Sequence, residues 1–223
     1  MAQLLSDEIK QQVQDVFADL KQEVAILFFG SDPEQCTYCE DTRQLLEEVA
    51  GLSDKIHFET YTDGASSEVA QKYQVEKVPG IVIAARDGDE IVDYGIRYAG
   101  IPAGHEFTSL IRDILMVSAR DSGLAAETRA FLSELPQDVH LRVFVTPTCP
   151  YCPQAVVLAH QMAFESPRVR AEMIEAMEFP DLSDEFGVSG VPHTSINFGA
   201  AELIGAAPEG HLIDKIKQSL AVN

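Results

Sequence analysis

Residues 145–153 read VTPTCPYCP, and this stretch contains the second of two Cys-x-x-Cys motifs in a chain of 223 residues. The first motif, CTYC, occupies residues 36–39, and the two motifs together contain all four cysteines of the chain. Each motif follows a short apolar segment, 24–29 or 141–145, that is dense enough to be a strand buried on both faces. An amphipathic helical pattern follows each motif. We therefore predict a strand–loop–helix junction at each cysteine pair.

The surroundings of the two motifs repeat at a fixed offset. A shift of 113 residues places Cys36 on Cys149, and it places a Val-Pro pair at 78–79 on another at 191–192. In both copies 40 residues lead from the second cysteine to that proline. A repeat of this kind indicates one structural unit written twice. We predict two domains, residues 1–118 and 119–223, because residues 119–123 interrupt the pattern with polar residues and a glycine.

Both copies show the same order of elements: helix, strand, helix, strand, helix, strand, strand, helix. The first helix places a set of apolar residues on one face: Leu5, Ile9, Val13, Val16, Phe17 and Leu20. Ser6 precedes this helix and is its predicted N-terminal cap. The order of elements predicts the α/β class, with a mixed central β-sheet flanked by helices in each copy.

The position of the cysteines at a helix start has a chemical consequence. Unpaired backbone N–H groups and the positive end of the helix dipole favour a thiolate there. A thiolate attacks a substrate disulfide, and a second cysteine one turn inside the helix resolves the mixed disulfide. We therefore predict that Cys36 and Cys149 are the nucleophiles, and that Cys39 and Cys152 are the resolving residues.

Two further features of the repeat predict how substrates bind. Val78-Pro79 and Val191-Pro192 each enter a strand, and the repetition favours a cis proline at both positions. A cis proline would bring the loop against the cysteines and leave the backbone of the valine free to pair with a substrate strand.

The residues between the cysteines differ in the two motifs. Pro150-Tyr151 pins the backbone of the second site, whereas Thr37-Tyr38 lacks a proline. We expect different redox potentials, with the direction left open, and most of the activity at the second site. Tyr38 and Tyr151 are predicted to form exposed apolar surface beside the sulfurs.

CPYC is the active-site tetrapeptide of glutaredoxins, and the spacing to Val-Pro is similar to that of thioredoxins. With YAGIPAGHEF at residues 98–107 and VTPTCPYCP at 145–153, the chain resembles the glutaredoxin-like protein disulfide oxidoreductases. This resemblance covers essentially the whole chain and implies two tandem thioredoxin-like domains. It also implies thiol–disulfide exchange on disulfide-containing proteins, as reductase, oxidase or isomerase, with the redox-active disulfides Cys36–Cys39 and Cys149–Cys152 and no bound cofactor.

The same resemblance implies partners. Electrons would come from a thioredoxin-reductase-like flavoprotein, and a peroxiredoxin is one candidate recipient. One departure concerns proton transfer: thioredoxins carry a buried acid on the strand before the cysteines, whereas segments 24–29 and 141–145 contain none. A proton acceptor would have to come from elsewhere in the chain.

Charge and hydropathy exclude several classes of function. With 16 basic and 36 acidic residues the net charge is −20, which argues against nucleic acid or an anionic membrane as a partner. The sequence contains no apolar run of about 18 residues, which is the length that would predict a membrane span. The acidic N-terminal segment does not resemble a signal peptide, so we expect a cytoplasmic protein in which paired cysteines are catalytic rather than structural.

Other interpretations remain open beside this one. A zinc ribbon places its cysteine pairs about 15–20 residues apart, whereas 109 residues separate Cys39 from Cys149. A glutathione-dependent glutaredoxin is the nearest competitor, and an electron-relay module serving a peroxiredoxin is the other. We expect His193 to be a rim or substrate-contact residue, with an effect on the ionisation of Cys149 as the alternative. We expect Glu175 and Glu178 to be solvated charges.

Overall fold

The computed structural model describes residues 3–32 and 34–221. The chain forms two compact units, neither of which is continuous in sequence. Unit 1 comprises the described residues up to Asp93 together with Ala99–Ile101 and Asp113–Asp121. Unit 2 comprises Tyr94–Tyr98, Pro102–Arg112 and the described residues from Ser122 onward. The predicted domain boundary between residues 118 and 119 was based on the sequence repeat, and it stays a prediction.

Unit 1 is built on a central strand, β1, which is buried along its whole length as predicted. It pairs in parallel with β2 and antiparallel with β3. The elements that lie wholly in unit 1 are α1 (Asp7–Phe17), β1 (Val24–Phe29), α2 (Cys39–Ala50), β2 (Ile56–Tyr61), α3 (Glu68–Lys72) and β3 (Gly80–Asp87). The strand β4 (Glu90–Ala99) and the helix α4 (Phe107–Ala119) each have residues in both units.

Unit 2 repeats this plan around β5, which is also buried along its whole length. It pairs in parallel with β6 and antiparallel with β7, and β7 pairs antiparallel with β8. The elements are α5 (Ala126–Ser133), β5 (Val139–Val145), α6 (Cys152–Glu165), β6 (Val169–Glu175), α7 (Pro180–Glu185), β7 (His193–Ile196), β8 (Ala201–Ile204) and α8 (Glu209–Leu220). A 3-10 helix, Gly104–Glu106, also belongs to this unit.

The predicted α/β class and mixed sheets are therefore confirmed. The predicted apolar face of α1 is too wide, because Ile9 and Val16 are 39% and 40% exposed. The other four predicted residues, Leu5, Val13, Phe17 and Leu20, are buried, and within α1 the buried stripe runs through Val13 and Phe17 because the core meets a narrower part of this helix. The cap is confirmed: the Ser6 hydroxyl accepts the N–H of Ile9 at 3.3 Å.

Within the described residues, every helix is too short or too polar to cross a membrane.

Glu48 on α2 holds the chain that leads into α1. Its carboxylate accepts the backbone N–H groups of Leu4 and Leu5 at 2.9 and 3.0 Å, and it pairs with Lys10 at 3.2 Å. Burial acts to raise the pKa of Glu48. The hydrogen bonds from Leu4, Leu5, Gln44 and Lys10 outweigh burial and bring the pKa to about 2.

We expect Glu48→Gln to lower the free energy of unfolding by about 2 kcal/mol at pH 7. Because the folded-state pKa lies below the unfolded value, the stabilisation is present above pH ~4.5 and is lost as the pH falls toward 2. Urea titrations at pH 7, 5 and 3.5 should therefore show a smaller difference in the free energy of unfolding between variant and parent at pH 3.5 than at pH 7. Glu47→Gln is the matched control, since Glu47 is 59% exposed and its ion pair with Arg43 lies at the surface of the same helix. A difference that does not change with pH would contradict this explanation.

Candidate active site

Both cysteine pairs form disulfides at the loop between a central strand and the next helix. The Cα atoms are 5.4 Å apart in Cys36–Cys39 and 5.5 Å apart in Cys149–Cys152. The second cysteine of each pair is the first residue of its helix rather than a residue one turn inside it. The prediction was wrong on this point because the residues between the cysteines form a turn before the helix begins.

At the C-terminal pair, the first sulfur receives a hydrogen bond from the start of the helix. The N–H of Cys152 donates to the sulfur of Cys149 at 3.1 Å. Cys149 is 8% exposed, whereas Cys152 is fully buried. A backbone N–H at a helix start stabilises negative charge on the sulfur that receives it. The more accessible cysteine is therefore also the one whose thiolate is favoured.

The N-terminal pair is arranged differently. The N–H of Cys39 donates to the carbonyl oxygen of Cys36 at 3.4 Å. Cys36 and Cys39 are equally exposed, at 5% each. Neither burial nor this hydrogen bond distinguishes a nucleophile in unit 1.

The loop before the first cysteine is two residues longer in unit 1. Phe29 pairs with Gly80 and Phe144 pairs with His193, and each partner directly follows the proline of a Val-Pro pair. Phe29 and Phe144 are therefore equivalent, but Cys36 lies seven residues after Phe29, whereas Cys149 lies five residues after Phe144. The longer loop borders a pocket of about 520 Å³ whose lining includes Ser31, Asp32, Gln35, Thr62, Asp63 and Val78.

Both Val-Pro bonds are cis, as predicted. The carbonyl oxygen of Val191 lies 3.8 Å from the sulfur of Cys149, so the loop does lie against the C-terminal pair. Each proline carbonyl is held by a glycine: Pro79 accepts the N–H of Gly100, and Pro192 accepts that of Gly205, both at 2.8 Å. The valines Val78 and Val191 are partly exposed.

The predicted apolar surface beside the sulfurs is present. Tyr38 is 43% exposed and Tyr151 is 68% exposed. Pro150 is also exposed. In each site the tyrosine directly precedes the helix and therefore lies next to the second cysteine.

Glu106 is a buried carboxylate of unit 2 that the sequence did not single out as a site residue. It is 1% exposed and accepts the Ser109 hydroxyl at 2.6 Å. Its 3-10 helix reaches the cysteine loop, since the N–H of His105 donates to the carbonyl oxygen of Pro147 at 2.9 Å. In the sequence, Glu106 could have been recognised as an acidic residue that lies between a glycine turn and the apolar face of α4.

Glu175 was predicted to be a solvated charge, and this is wrong. It is 3% exposed, and burial raises the pKa of its carboxyl above the usual range. It is the last residue of β6 and pairs with Val145, a fully buried residue. Strand register, which sequence alone does not provide, turns it toward the interior.

His193 is likewise buried rather than at a rim, with 2% of its surface exposed. Its ring packs edge-on against Phe144, with the ring centroids 6.1 Å apart. Because it directly follows Pro192 on β7, it pairs with Phe144 across the sheet and shares that buried face.

Comparisons with known proteins agree with this geometry. A family model described as a thioredoxin domain matches residues 139–218. A protein disulfide oxidoreductase from Aeropyrum pernix is 30% identical, with a TM-score of 0.86, over 95% of this chain and 92% of the other. A domain of alkylhydroperoxide reductase from Enterococcus faecalis is 29% identical, with a TM-score of 0.84, over 95% of this chain and 99% of the other.

Curated relatives are longer proteins. An alkyl hydroperoxide reductase protein of Pseudomonas putida is 29% identical over 72% of this chain and 32% of its own length. An NADH dehydrogenase from Ferdinandcohnia aciditolerans is 27% identical over 87% of this chain and 34% of its own length. The chain thus spans about a third of the length of these relatives.

Fold and site together define a thioredoxin-fold thiol–disulfide oxidoreductase with two Cys-x-x-Cys disulfides. The chain belongs to the protein disulfide oxidoreductases with two tandem thioredoxin folds.

The contact between the 3-10 helix and the cysteine loop can be tested through Gly104. This residue has φ of 59°, and a Cβ atom there would overlap the carbonyl oxygen of Pro147. We expect Gly104→Ala to lower the free energy of unfolding by about 2 kcal/mol more than Gly187→Ala does. Gly187 is the matched control, because its φ is 61° and a Cβ there meets no atom of the described residues within 4 Å. Equal losses in urea unfolding would show that Pro147 does not constrain this position.

Proposed function

We propose that this protein catalyses thiol–disulfide exchange on protein substrates, with Cys149–Cys152 as the pair that meets the substrate. The observation that carries the proposal is the environment of the Cys149 sulfur. It receives the Cys152 N–H at 3.1 Å, and the Val191 carbonyl oxygen lies 3.8 Å away. A nucleophile at a helix start and a backbone segment beside it are the two parts that such a reaction needs.

The reaction follows from the positions of the two sulfurs. In the reduced protein the Cys149 thiolate attacks one sulfur of a substrate disulfide, and the other substrate sulfur leaves as a thiolate. Cys152 then attacks the Cys149 sulfur of the mixed disulfide. The Cys149–Cys152 disulfide forms, and the second substrate thiolate leaves. Two electrons pass to the substrate, and the buried position of Cys152 restricts it to this second step.

Disulfide-containing proteins are the substrate class that the surface beside the sulfurs fits. Val191 and Val78 precede the cis prolines and are partly exposed, so their backbone groups can pair with an extended substrate segment. Tyr151, Pro150 and Tyr38 offer apolar surface next to the sulfurs. Backbone pairing is tolerant of sequence, which suits an enzyme with many protein substrates.

Cys36–Cys39 is proposed to pass electrons rather than to meet the final substrate. Its second cysteine donates its N–H to a carbonyl oxygen instead of a sulfur, so the thiolate of Cys36 lacks the stabilisation that Cys149 has. Because hydrogen bonding to the sulfur tunes the redox potential, the two pairs should have different potentials. A thioredoxin-reductase-like flavoprotein is the proposed electron donor.

A second candidate function is delivery of electrons to a peroxiredoxin. The similarity to the alkyl hydroperoxide reductase protein of Pseudomonas putida over 72% of this chain favours it. The chemistry at the two cysteine pairs would be the same, and only the acceptor disulfide would differ.

We expect the protein to accelerate the reduction of insulin by dithiothreitol, measured by turbidity of the precipitating B chain. The Cys36→Ser, Cys149→Ser double variant should fall to the rate of dithiothreitol alone, because neither nucleophile remains. Of the single variants, Cys149→Ser should lose more activity than Cys36→Ser. A double variant that keeps the parent rate would refute the proposal, and a larger loss in Cys36→Ser would reverse the ranking.

The electron donor and acceptor can be separated with coupled assays that follow NADPH oxidation. With insulin as acceptor, we expect turnover with a thioredoxin-reductase-type flavoprotein and none with glutathione and glutathione reductase. Turnover with glutathione alone would instead identify a glutaredoxin. To test electron delivery to a peroxiredoxin, insulin is replaced by an oxidised peroxiredoxin and peroxide is added. This second candidate function requires faster NADPH oxidation with the peroxiredoxin than with insulin.

A further inference from the structure

We propose that Glu175 is the proton acceptor for the resolving thiol of Cys152. This inference rests on the proposed function, because it concerns the second step of thiol–disulfide exchange at the C-terminal pair. It also supplies a candidate for the acid that neither central strand provides.

Glu175 lies at the end of the sheet where the cysteine loop begins. It is paired in parallel with Val145, and the N–H of the next residue, Ala176, donates to the Val145 carbonyl oxygen at 2.9 Å. Val145 is the last residue of β5, four positions before Cys149. Residues paired across a parallel ladder point to the same face of a sheet, so the side chains of Glu175 and Val145 share one face.

The other copy of the repeat identifies what lies over that face. Gly30 directly follows Phe29, as Val145 directly follows the equivalent Phe144, so Gly30 and Val145 occupy the same position. A Cβ built on Gly30 would lie 3.4 Å from the sulfur of Cys39, the second cysteine of unit 1. The second cysteine therefore lies over the face to which the residue at this position points. In unit 2 this face carries Glu175.

The surroundings of Glu175 are apolar apart from a few groups. Met173 and Val143 share its face and are fully buried, whereas the opposite face carries Phe144 packed against Phe186. The helix α6 packs against both β5 and β6. The titratable groups on the elements around Glu175 are Cys149 in the loop before α6, Cys152, His160 and Glu165 on α6, His105 and Glu106 on the 3-10 helix against α6, and Glu178 in the turn after β6. The charged residues of β5 and β6, which are His140, Arg142, Arg170 and Glu172, occupy the face opposite Glu175.

The carboxyl of Glu175 has one oxygen available. Its Oε2 accepts the N–H of Glu178 at 2.6 Å, which holds the side chain in place. Its Oε1 is buried and has no hydrogen-bond partner among the described residues. A buried acceptor left without a donor is costly and calls for an explanation. Burial raises the pKa of this carboxyl by more than backbone hydrogen bonding from Glu178 and Met177 lowers it, which makes it a better base than an exposed glutamate.

Proton and electron pair move together in the resolving step. In the mixed disulfide the Cys152 thiol gives its proton to the Glu175 carboxylate, and its sulfur attacks the Cys149 sulfur. The Cys149–Cys152 bond forms while the bond from Cys149 to the substrate sulfur breaks, and the substrate thiolate leaves with the electron pair. The proton then passes from Glu175 to solvent or to the leaving thiolate. Glu175 therefore ends the cycle ionised.

Unit 1 has no carboxylate at this position. The 113-residue shift places Thr62 on Glu175, and Thr62 is exposed and lines the pocket beside the N-terminal pair. Threonine cannot accept a proton at neutral pH. If Glu175 is the proton acceptor, a base assists the resolving step at Cys149–Cys152 but not at Cys36–Cys39.

The test uses the full chain carrying Cys36→Ser and Cys39→Ser, so that only the C-terminal pair reacts. The reduced protein is mixed in a stopped-flow instrument with 5,5′-dithiobis(2-nitrobenzoate), and absorbance of the released thionitrobenzoate is followed. The first release reports attack by Cys149, and the second reports resolution by Cys152. At pH 7 we expect Glu175→Gln to leave the first phase unchanged and to slow the second at least about tenfold. The loss should shrink toward pH 9, where the thiol ionises without help.

Two further variants keep the test decisive. Glu175→Thr introduces the residue that unit 1 has at this position, and it should slow the second phase as Glu175→Gln does. Glu172→Gln is the matched control: Glu172 is 6% exposed on the same strand but points to the opposite face, 3.5 Å from Arg142. It should lower stability without changing the pH profile of the second phase. The assignment of Glu175 would be overturned if the glutamine and threonine variants kept the parent's rate in the second phase. It would also be overturned if both phases were slowed equally in these variants. Absence of the first phase in the parent would instead refute the proposed function.

Discussion

The redox chemistry of each copy depends on one strand, β1 or β5, that is buried from end to end. A parallel neighbour lies on one side and an antiparallel neighbour on the other, so the strand cannot shift without losing hydrogen bonds on both sides. The end of this strand sets where the cysteine loop starts. The antiparallel neighbour begins at the same end, directly after a cis proline. In unit 2 this backbone pairing brings the Cys149 sulfur and the Val-Pro loop together.

The two copies have kept this framework and differ in what surrounds the sulfurs. The cysteine loop is longer in unit 1, and the N–H of the second cysteine reaches a carbonyl oxygen there but a sulfur in unit 2. A carboxylate ends the parallel neighbour in unit 2, whereas unit 1 has a threonine at that position of the repeat. These differences change thiolate stability and proton transfer without altering the sheet. Duplication of the fold thus gives two sites that can perform different steps.

Two buried carboxylates of unit 2 lie on elements that reach its cysteine loop. Glu106 and Glu175 are 1% and 3% exposed, and taking such groups out of water costs several kcal/mol unless hydrogen bonds compensate. The Ser109 hydroxyl donates to Glu106, and the Glu178 N–H donates to Glu175. Ionisable groups that are buried despite this free-energy cost are characteristic of functional sites.

The sequence by itself determined the repeat, the α/β class, the buried central strands and the place of each cysteine pair between a strand and a helix, because apolar runs and motif spacing are local properties. It also indicated the cis prolines, since the same Val-Pro pair recurs at one spacing. It could not determine that Glu175 and His193 are buried, because a one-residue change of register reverses the face to which a strand residue points. Nor could it place the 3-10 helix that carries Glu106 against the loop at Pro147, which lies about 40 residues further along the chain. Only the tertiary structure decided which polar groups surround each sulfur, since those groups come from strands and turns distant in the chain.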